Sequence, residues 1–248
     1  MKALILAAGR GTRLGALTAD RPKPLLPIRG VPMIERIMAS IAHEAGITQF
    51  VLVTGYRADV IQAHFADGAR WGWHVQYVHQ DPPRGVGDAV NCARALLSDG
   101  PFLMTYGDIM LDPANYRRFM QMWLTPPELG VGGPFSALVG LNWVPDPCRG
   151  AAVYLNDDHT IARIEEKPAP GTAATHWNNA GLFIFAPLIF DYTAHLQPSA
   201  RGEYELPDAI TALIQDGHRA YGLELAGSWR DVGTPEDYAA INAEPEAL

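Results

Sequence analysis

The sequence LILAAGRGTRLGALTADRPKP occupies residues 4–24. The apolar run over residues 3–8 is short enough to form a fully buried strand. The loop that follows, residues 9–13, contains Gly9 and Gly11, which permit positive φ angles and let the backbone approach a ligand closely. Successive backbone N–H groups in such a loop form a concavity that suits an anion. The stretch therefore predicts a buried strand followed by an anion-binding turn.

Two cations accompany this turn. Arg13 supplies a planar, permanently charged guanidinium that matches phosphate oxygens, and Lys23 supplies a point charge between two prolines that fix the local backbone. An anion-binding loop with two cations indicates a site for a polyphosphate. Leu14 stands where a P-loop or a dinucleotide-binding loop requires glycine, so the sequence excludes both of those loops. Two glycines alone would equally fit an ordinary turn between a strand and a helix.

The longer string is more specific. Residues 6–13 read Leu-Ala-Ala-Gly-Arg-Gly-Thr-Arg, and Pro-Lys-Pro follows at residues 22–24. This pattern resembles the signature of the sugar-1-phosphate nucleotidylyltransferases, or nucleotide-sugar pyrophosphorylases, and is closest to their uridylyl and thymidylyl type. The resemblance implies that Lys23 bridges the α-phosphate and the incoming sugar phosphate. The nucleotide-binding residues that it implies in this stretch are Leu6, Ala8, Gly9, Gly11, Thr12 and Arg13.

The whole chain has the composition of a globular protein. Its 248 residues are 48% hydrophobic and 19% charged, which is enough for a substantial core. A net charge of −8 argues against general nucleic-acid binding, although residues 1–36 hold seven basic residues and two acidic ones. No apolar run approaches the length of a transmembrane helix. The two cysteines show no metal-binding or redox spacing and fit a reducing, cytoplasmic location; a single disulfide between them is the alternative.

The order of the predicted elements indicates an α/β fold. Apolar runs predict strands, and segments with helical periodicity predict helices, in alternation through the first half. Alternation in steps of this size means a parallel sheet with right-handed crossovers, so we expect a Rossmann-like, doubly wound, mostly parallel sheet. After the first strand, the predicted elements are a helix from residue 32 to residue 46, a strand at 50–53, a helix at 58–65, a strand at 74–78, a helix at 86–97 and a strand at 102–105.

The second half is predicted to be richer in β-structure. We expect a strand at 135–143, a hairpin at 150–155 and 160–166, a strand at 181–185, and helices at 205–215 and 235–241. No linker separates the halves, so we predict a single domain over residues 1–242. The resemblance implies a GT-A-like fold with a nucleotide-binding part at 1–134 and a sugar-binding part at 135–242. Residues 243–248 are expected to form a C-terminal tail.

A loop rich in proline and glycine, residues 79–85, follows a predicted strand. By composition it is typical of a solvated turn. The resemblance implies instead that Gln80 and Gly85, five residues apart, bind the base of the nucleotide. Because a glutamine amide both donates and accepts hydrogen bonds, it matches the edge of uracil or thymine, and we expect UTP or dTTP. The next residues, 86–89, read Val-Gly-Asp-Ala and depart from the usual pattern of the family.

Two aspartates are candidate metal ligands. Asp108 follows a buried strand, where aspartate is common as a turn residue. Asp231 lies in Trp-Arg-Asp-Val-Gly-Thr-Pro, residues 229–235, whose threonine and proline predict a helix start. The resemblance implies that both carboxylates hold Mg²⁺, a cation that combines few protein ligands with phosphate oxygens. Together with Arg13 and Lys23, they are the predicted catalytic residues.

Four further residues are candidates for the sugar-phosphate site. Residues 164–168 read Ile-Glu-Glu-Lys-Pro, which taken alone is typical of a solvated strand end. The segment is similar to a motif of the family, and this implies that Glu166 binds sugar hydroxyls and that Lys167 contacts the sugar phosphate. The resemblance also implies that Asn179 binds the sugar ring and that the backbone of Gly150 faces it. Lys23 completes the implied site.

The predicted reaction joins a nucleoside triphosphate and a sugar-1-phosphate into a nucleotide sugar and releases pyrophosphate. The same chemistry with GTP and mannose- or heptose-1-phosphate is one alternative. A regulatory domain that binds nucleotide without turnover is another, which the four predicted catalytic residues together disfavour. A metal-dependent glycosyltransferase is a third, but that class lacks the Gly-x-Gly-Thr-Arg loop. The expected partners are these small molecules, with no nucleic acid and no membrane; a homo-oligomer is possible.

Overall fold

The computed structural model describes residues 1–126 and 135–243. Strands and helices alternate in the first of these ranges, as the apolar runs predict. The elements are β1 (Lys2–Ala7), β2 (Pro27–Ile28), β3 (Val31–Pro32), α1 (Met33–Ala45), β4 (Gln49–Thr54), α2 (Ala58–Phe65), β5 (His74–His79), α3 (Val86–Cys92), α4 (Arg94–Leu97), β6 (Phe102–Tyr106), β7 (Ile109–Leu111) and α5 (Ala114–Leu124).

The second range is richer in strands, as expected. Its elements are β8 (Ala137–Trp143), β9 (Ala151–Leu155), β10 (Ile161–Glu166), β11 (Trp177–Phe185), α6 (Ile189–Thr193), α7 (Leu206–Gln215), β12 (Ala220–Glu224), β13 (Trp229–Asp231) and α8 (Pro235–Ala243). Ala243 therefore belongs to α8, and the remainder of the predicted tail lies outside the described residues. The predicted boundary at residues 134 and 135 adjoins residues 127–134, which also lie outside them.

One sheet runs through both halves. Strand β1 pairs in parallel with β4 and β6, and β4 pairs in parallel with β5. The sheet continues from β6 to β11 in antiparallel fashion, and from β11 to β8, β9 and β10, while β12 lies parallel to β8. This topology confirms the predicted doubly wound, mostly parallel sheet with a β-rich second half.

The central strands are buried on both faces, which explains their uninterrupted apolar sequences. In β1, Ile5 packs into the cluster formed with α1, α2 and α5, and its neighbour Leu4 packs into the cluster formed with α3, α6 and α7. Both side chains are fully buried. Helices on both faces leave the ends of the strands as the accessible edge of the sheet, where ligands bind in folds of this type.

Local signals set the bounds of several helices. Helix α1 begins directly after Pro32 and ends before Gly46, whose φ of 66° is the left-handed conformation that glycine adopts at low cost. The helix predicted at 86–97 is divided into α3 and α4, because Ala93 donates its N–H to Val90, three residues earlier, at 3.0 Å and the α-helical ladder tightens there. Helices α5 and α6 and the strands β3, β7, β12 and β13 were not predicted.

A bulge in β11 shapes the second half of the sheet. The register of β11 against β8 shifts between Asn179 and Phe183. At the bulge, Gly181 has a φ of 79°, and a Cβ atom there would lie 2.5 Å from both Tyr106 and Ile109. Both the backbone conformation and the lack of space therefore require glycine at this position.

We predict that Gly181→Ala lowers the free energy of unfolding by about 2–4 kcal/mol, because it combines a strained φ with overpacking against two side chains. Gly171→Ala is the matched control, since Gly171 has a φ of 72° but open space around it. It should cost about 1 kcal/mol. Urea denaturation monitored by tryptophan fluorescence measures both values. Equal losses in the two variants would show that packing at the bulge contributes nothing.

Candidate active site

Three predicted segments meet at one edge of the sheet. The glycine-rich loop follows β1, Gln80 follows β5, and Asp108 follows β6 after a single glycine. These strands are parallel, so their carboxyl ends lie on the same side. Gly107 donates its N–H to the carbonyl of Leu6 at 2.9 Å, which holds the turn after β6 against the end of β1. The strand order thus brings the nucleotide-binding and metal-binding candidates together.

The two loop glycines differ in what they do. Gly11 has a φ of 65°, and a Cβ atom there would lie 2.9 Å from Cβ of Lys23, so only glycine fits. Thr18 donates its hydroxyl to the carbonyl of Gly11 at 3.1 Å and stabilises this conformation. Gly9 has no positive φ, and the space around it is open. The backbone of Gly9 is therefore unstrained and has open space beside it, so that a ligand could approach it closely.

Lys23 lies between the two predicted metal ligands. Its ammonium Nζ is 2.5 Å from Oδ2 of Asp108 and 3.5 Å from Oδ1 of Asp231, and the residue is only 6% exposed. The two carboxylates are therefore closer together than the sum of those distances. A buried ammonium needs such partners, because an unpaired charge away from water is strongly unfavourable.

A short antiparallel ribbon places Asp231 beside Asp108. Strand β13 pairs with β7, so that Asp231 lies opposite Ile109, and Val232 donates its N–H to the carbonyl of Asp108 at 3.1 Å. The predicted helix start follows directly. The hydroxyl of Thr234 accepts the N–H of Asp237 at 3.2 Å, and the Asp237 carboxylate accepts the N–H of Thr234 at 2.9 Å, which is a capping box.

The charges around Asp231 have opposing effects. Burial raises the pKa of its carboxyl, and the nearby Asp108 raises it further, while Lys23 and Arg13 lower it. Arg13 itself makes no hydrogen bond, ion pair or ring contact with any other described residue. Its guanidinium nitrogens lie 3.3–3.4 Å from where a Cβ atom of Gly233 would be. Arg13 is therefore held close to the carboxylates but leaves its hydrogen-bond donors free for a ligand.

Arg13, Asp108, Asp231 and Gly233 line a cavity of about 680 Å³. Its lining also includes the predicted sugar-binding residues Gly150, Glu166 and Asn179. Lys167 does not line the cavity, but its ammonium is 3.9 Å from Glu166. Gly150 must be glycine, because a Cβ atom there would collide with Oδ1 of Asn178.

Asparagine side chains fix the backbone around the predicted sugar-binding residues. Oδ1 of Asn178 accepts the N–H of Ala151 at 3.2 Å, and its Nδ2 donates to Asn142 at 2.9 Å. Oδ1 of Asn179 accepts the N–H of Gly181 at 3.0 Å. Asn178 therefore joins the predicted Asn179 at the cavity wall, and the pair links β9, β8 and the bulge of β11.

Glu166 has the most perturbed carboxyl group of the cavity. Burial raises its pKa to about 7, the proximity of Glu205 adds to the increase, and Lys167 and Arg201 oppose it. Arg201 lies 3.4 Å from Glu166 and 2.7 Å from Glu205. Arg201 thus holds the carboxylates of Glu166 and Glu205 close together although they repel each other.

The predicted base-binding loop is stabilised by internal hydrogen bonds of Gln80. Gln80 is 5% exposed, and its amide nitrogen donates to the carbonyl of Gly85 at 3.0 Å and to Asp88 at 2.8 Å. Both amide hydrogens are therefore used inside the loop. Asp88 is one of the two acceptors, so the protein itself binds the hydrogen atoms that the glutamine could offer a base.

The same loop is hydrogen-bonded to Tyr204, in the second half of the chain. Tyr204 donates its N–H to the carbonyl of Arg84 at 2.7 Å and accepts the N–H of Gly87 at 2.8 Å. Gly85 has a φ of 106°, and a Cβ atom there would lie 2.7 Å from the backbone of Tyr204. The next residue, Glu205, is bound by Arg201. One short segment therefore contacts both the base loop and the carboxylates near Glu166.

Sequence reasoning missed several residues of this site, Asn178 among them. Tyr106 and Arg149 line the cavity, and each directly precedes a predicted segment, Gly107 in one case and Gly150 in the other. Arg201 contacts Glu166. Adjacency to a motif was the available signal for Tyr106 and Arg149, but it does not show on which side of the backbone a side chain lies.

A second cavity of about 690 Å³ lies on α6 and α7. It contains none of the predicted site residues. Three aspartates line it, Asp191, Asp208 and Asp216, and its lining includes no lysine or arginine. A polyphosphate would be repelled there, so the cavity that holds Arg13 is the candidate active site.

Two further findings concern metal ligands and membrane spans. The described residues contain no group of three or more histidine, cysteine, aspartate or glutamate side chains that could hold a metal ion. A metal at Asp108 and Asp231 would take its remaining oxygen ligands from water or from the substrates. None of the described helices combines the length and the apolar character that crossing a membrane requires.

Comparisons with known proteins agree with this geometry. The family model described as "Nucleotidyl transferase" matches residues 2–247. The chain is 31% identical over 243 residues to the low-salt glycan biosynthesis nucleotidyltransferase Agl11 of Haloferax volcanii, and 32% identical over 242 residues to a glucose-1-phosphate thymidylyltransferase of Streptomyces griseus. Both alignments include 98% of this chain and 65% of the relative, so the chain spans less than two thirds of the length of either protein.

A solved structure supports the fold. The chain superposes on a Bacillus anthracis protein in complex with sucrose with a TM-score of 0.85 at 27% identity. The superposition covers 98% of this chain and 94% of the other.

The perturbed carboxyl of Glu166 predicts a pH dependence of stability. A pKa near 7 in the folded state, against 4.5 for an ordinary glutamate, means that the folded protein binds the proton more tightly than the unfolded chain. The stabilisation of the folded state by protonation of Glu166 is fully present below pH 4.5 and is lost as the pH rises through 7. Relative to Glu166→Gln, the wild type should therefore lose about 1–3 kcal/mol of unfolding free energy between pH 5 and pH 8.

Urea denaturation at both pH values measures this difference. Glu165→Gln is the control, because the Glu165 carboxylate lies at the surface and pairs with Arg163. Its stability should follow that of the wild type at both values. A constant difference between the wild type and Glu166→Gln would contradict the predicted pKa.

Proposed function

The chain belongs to the nucleotidyl transferase family, and from that premise we propose that it transfers a nucleotidyl group from a nucleoside triphosphate to a sugar-1-phosphate. An oxygen of the sugar phosphate forms a bond to the α-phosphorus, the bond between that phosphorus and the bridging oxygen breaks, and pyrophosphate leaves with the electron pair. The observation that carries the proposal is a single cavity whose lining includes both Arg13, Asp108 and Asp231 and the residues Glu166 and Asn179.

No protein nucleophile is required, because a sugar phosphate dianion already supplies one. The task of the protein is to position two anions and to offset their charge. We propose that the bare backbone of Gly9 and the free guanidinium of Arg13 bind the outer phosphates. Lys23, buried and directed at the same point, would contact the α-phosphate and the incoming phosphate.

We also propose that Asp108 and Asp231 hold Mg²⁺. Their carboxylates already converge on one positive charge, the ammonium of Lys23. Two carboxylates are a suitable protein contribution for Mg²⁺, which takes its other oxygens from phosphates and water. When bound, the metal would neutralise charge that develops on the phosphates.

For the base we propose UTP or dTTP. The spacing of Gln80 and Gly85 and the similarity to a thymidylyltransferase support this choice. Because the amide hydrogens of Gln80 are bound within the loop, its role would be to fix the loop backbone against which the base lies. GTP with mannose- or heptose-1-phosphate stays the alternative substrate pair.

For the sugar phosphate we propose contacts from Glu166, Lys167, Asn179 and the backbone of Gly150. A cytoplasmic location is also part of the proposal, since both cysteines are free thiols and fit a reducing compartment. A regulatory domain without turnover is disfavoured because the four predicted catalytic residues converge on one point rather than being scattered over the surface.

The reaction predicts a specific pattern of pyrophosphate release. UTP, dTTP, GTP, ATP and CTP are each tested with and without a panel of sugar-1-phosphates in the presence of Mg²⁺. We expect release only when a sugar-1-phosphate is present, with kcat/KM for UTP or dTTP at least about tenfold above the other triphosphates. Release without a sugar phosphate, or a clear preference for GTP, ATP or CTP, would contradict the reaction or the base, respectively.

The phosphate-binding role predicts large losses in two variants. Arg13→Ala and Lys23→Ala should each lower kcat by about 10²-fold or more, since each removes a charge that stabilises the transition state. Arg21→Ala is the control, because Arg21 is exposed and pairs with Asp20, and it should keep near wild-type rates. Circular dichroism checks that each variant is folded. Wild-type turnover in either of the first two variants would refute the role.

A further inference from the structure

The arginines and lysines of this chain differ in whether they have protein partners. All of them lie in the described residues. Arg13 and Arg149 are the two that make no hydrogen bond, ion pair or ring contact with another described residue. Both line the same cavity. Arg13 is proposed to bind the outer phosphates of the nucleotide, which leaves the guanidinium of Arg149 without an assigned ligand.

None of the carboxylates that line the cavity pairs with Arg149, and each of them has another partner. Asp108 and Asp231 bind Lys23, and Glu166 lies beside Arg201. Asp237 accepts the N–H groups of the helix start. Asp146, the nearest in sequence to Arg149, accepts the N–H of Cys148 with one oxygen and that of Gly171 with the other, both at 3.0 Å.

The hydrogen bonds of Asp146 also fix where Arg149 lies. Asp146 caps the single 3-10 turn Pro147–Arg149, and Arg149 is the last residue of that turn. The next residue, Gly150, is pressed against Asn178. The backbone of Arg149 is therefore held in the cavity wall beside Gly150. Its side chain is exposed and forms no ion pair with an acidic residue of the described chain.

We propose that the sugar-1-phosphate substrate carries a second anionic group, a carboxylate or a further phosphate, that binds Arg149. A guanidinium presents two parallel N–H groups that match either oxyanion. The neutral hydroxyls of the sugar would be left to Glu166 and Asn179. This inference rests on the proposed function and narrows its substrate to acidic sugar-1-phosphates.

The test compares matched sugars in the pyrophosphate assay, with the triphosphate that the protein uses best. Glucose-1-phosphate is the neutral sugar, and glucuronic acid 1-phosphate and glucose-1,6-bisphosphate supply the carboxylate and the second phosphate. We expect kcat/KM for one acidic sugar to exceed that for glucose-1-phosphate by about tenfold or more. The better acidic substrate identifies the anionic group.

Arg149→Gln should reduce this preference to less than about threefold, chiefly through a higher KM for the acidic sugar, and Arg149→Lys should restore part of it. Arg117→Gln is the control, because Arg117 pairs with Glu44 outside the cavity, and it should keep the wild-type preference. Added KCl should raise the KM of the acidic sugar more in the wild type than in Arg149→Gln.

Two results would overturn the inference and leave the proposed function intact. One is a kcat/KM for glucose-1-phosphate that exceeds that for both acidic sugars, and the other is a preference for an acidic sugar that persists in Arg149→Gln. Absence of pyrophosphate release with every sugar phosphate would refute the proposed function instead. In that case calorimetric titration still decides the role of Arg149. Tighter binding of glucuronic acid 1-phosphate or glucose-1,6-bisphosphate than of glucose-1-phosphate, lost in Arg149→Gln, supports the inference, and equal binding overturns it.

Discussion

The ammonium of Lys23 between Asp108 and Asp231 is the interaction on which the candidate site depends. A buried lysine is tolerable only with charged partners, because unpaired charges lose their hydration without compensation. Here the partners also set the chemistry. In the proposed reaction, a phosphate would compete with the carboxylates for Lys23, and a cation would compete with Lys23 for the carboxylates. The site holds both kinds of charge next to each other, so such ligands would exchange partners with groups that are already in place.

The nucleotide and sugar sides are connected by a second set of contacts. Tyr204 binds the backbone of the loop that contains Gln80, and the adjacent Glu205 shares Arg201 with Glu166. One short segment therefore contacts both the loop that we propose to bind the base and the carboxylate of Glu166 that we propose to bind the sugar. If both proposals hold, the choice of base and the choice of sugar need not be independent in this protein.

The sequence predicted the parallel core because its strands are buried on both faces, which leaves runs such as residues 3–8 uninterrupted. It did not predict β7 and β13, three residues each, because their pairing joins segments 120 residues apart and no local pattern marks it. The family resemblance named Asp231, and only the ribbon explains its position. For Gln80, the residue was identified but its hydrogen bonds were not, since Asp88 takes one of them. Arg149 escaped notice because a missing partner is a property of the folded chain alone.

A double-mutant cycle determines whether Asp108 and Asp231 act as one unit. The single-turnover rate of pyrophosphate release is measured for the wild type, Asp108→Asn, Asp231→Asn and the double variant at saturating Mg²⁺ and substrates. We predict that each single change lowers the rate by about 10²-fold or more and that the double variant is no slower than the slower single variant, as for residues that serve one function. Losses that multiply, or a near wild-type rate for Asp231→Asn, would show that Asp231 is only the residue that ends β13 before α8.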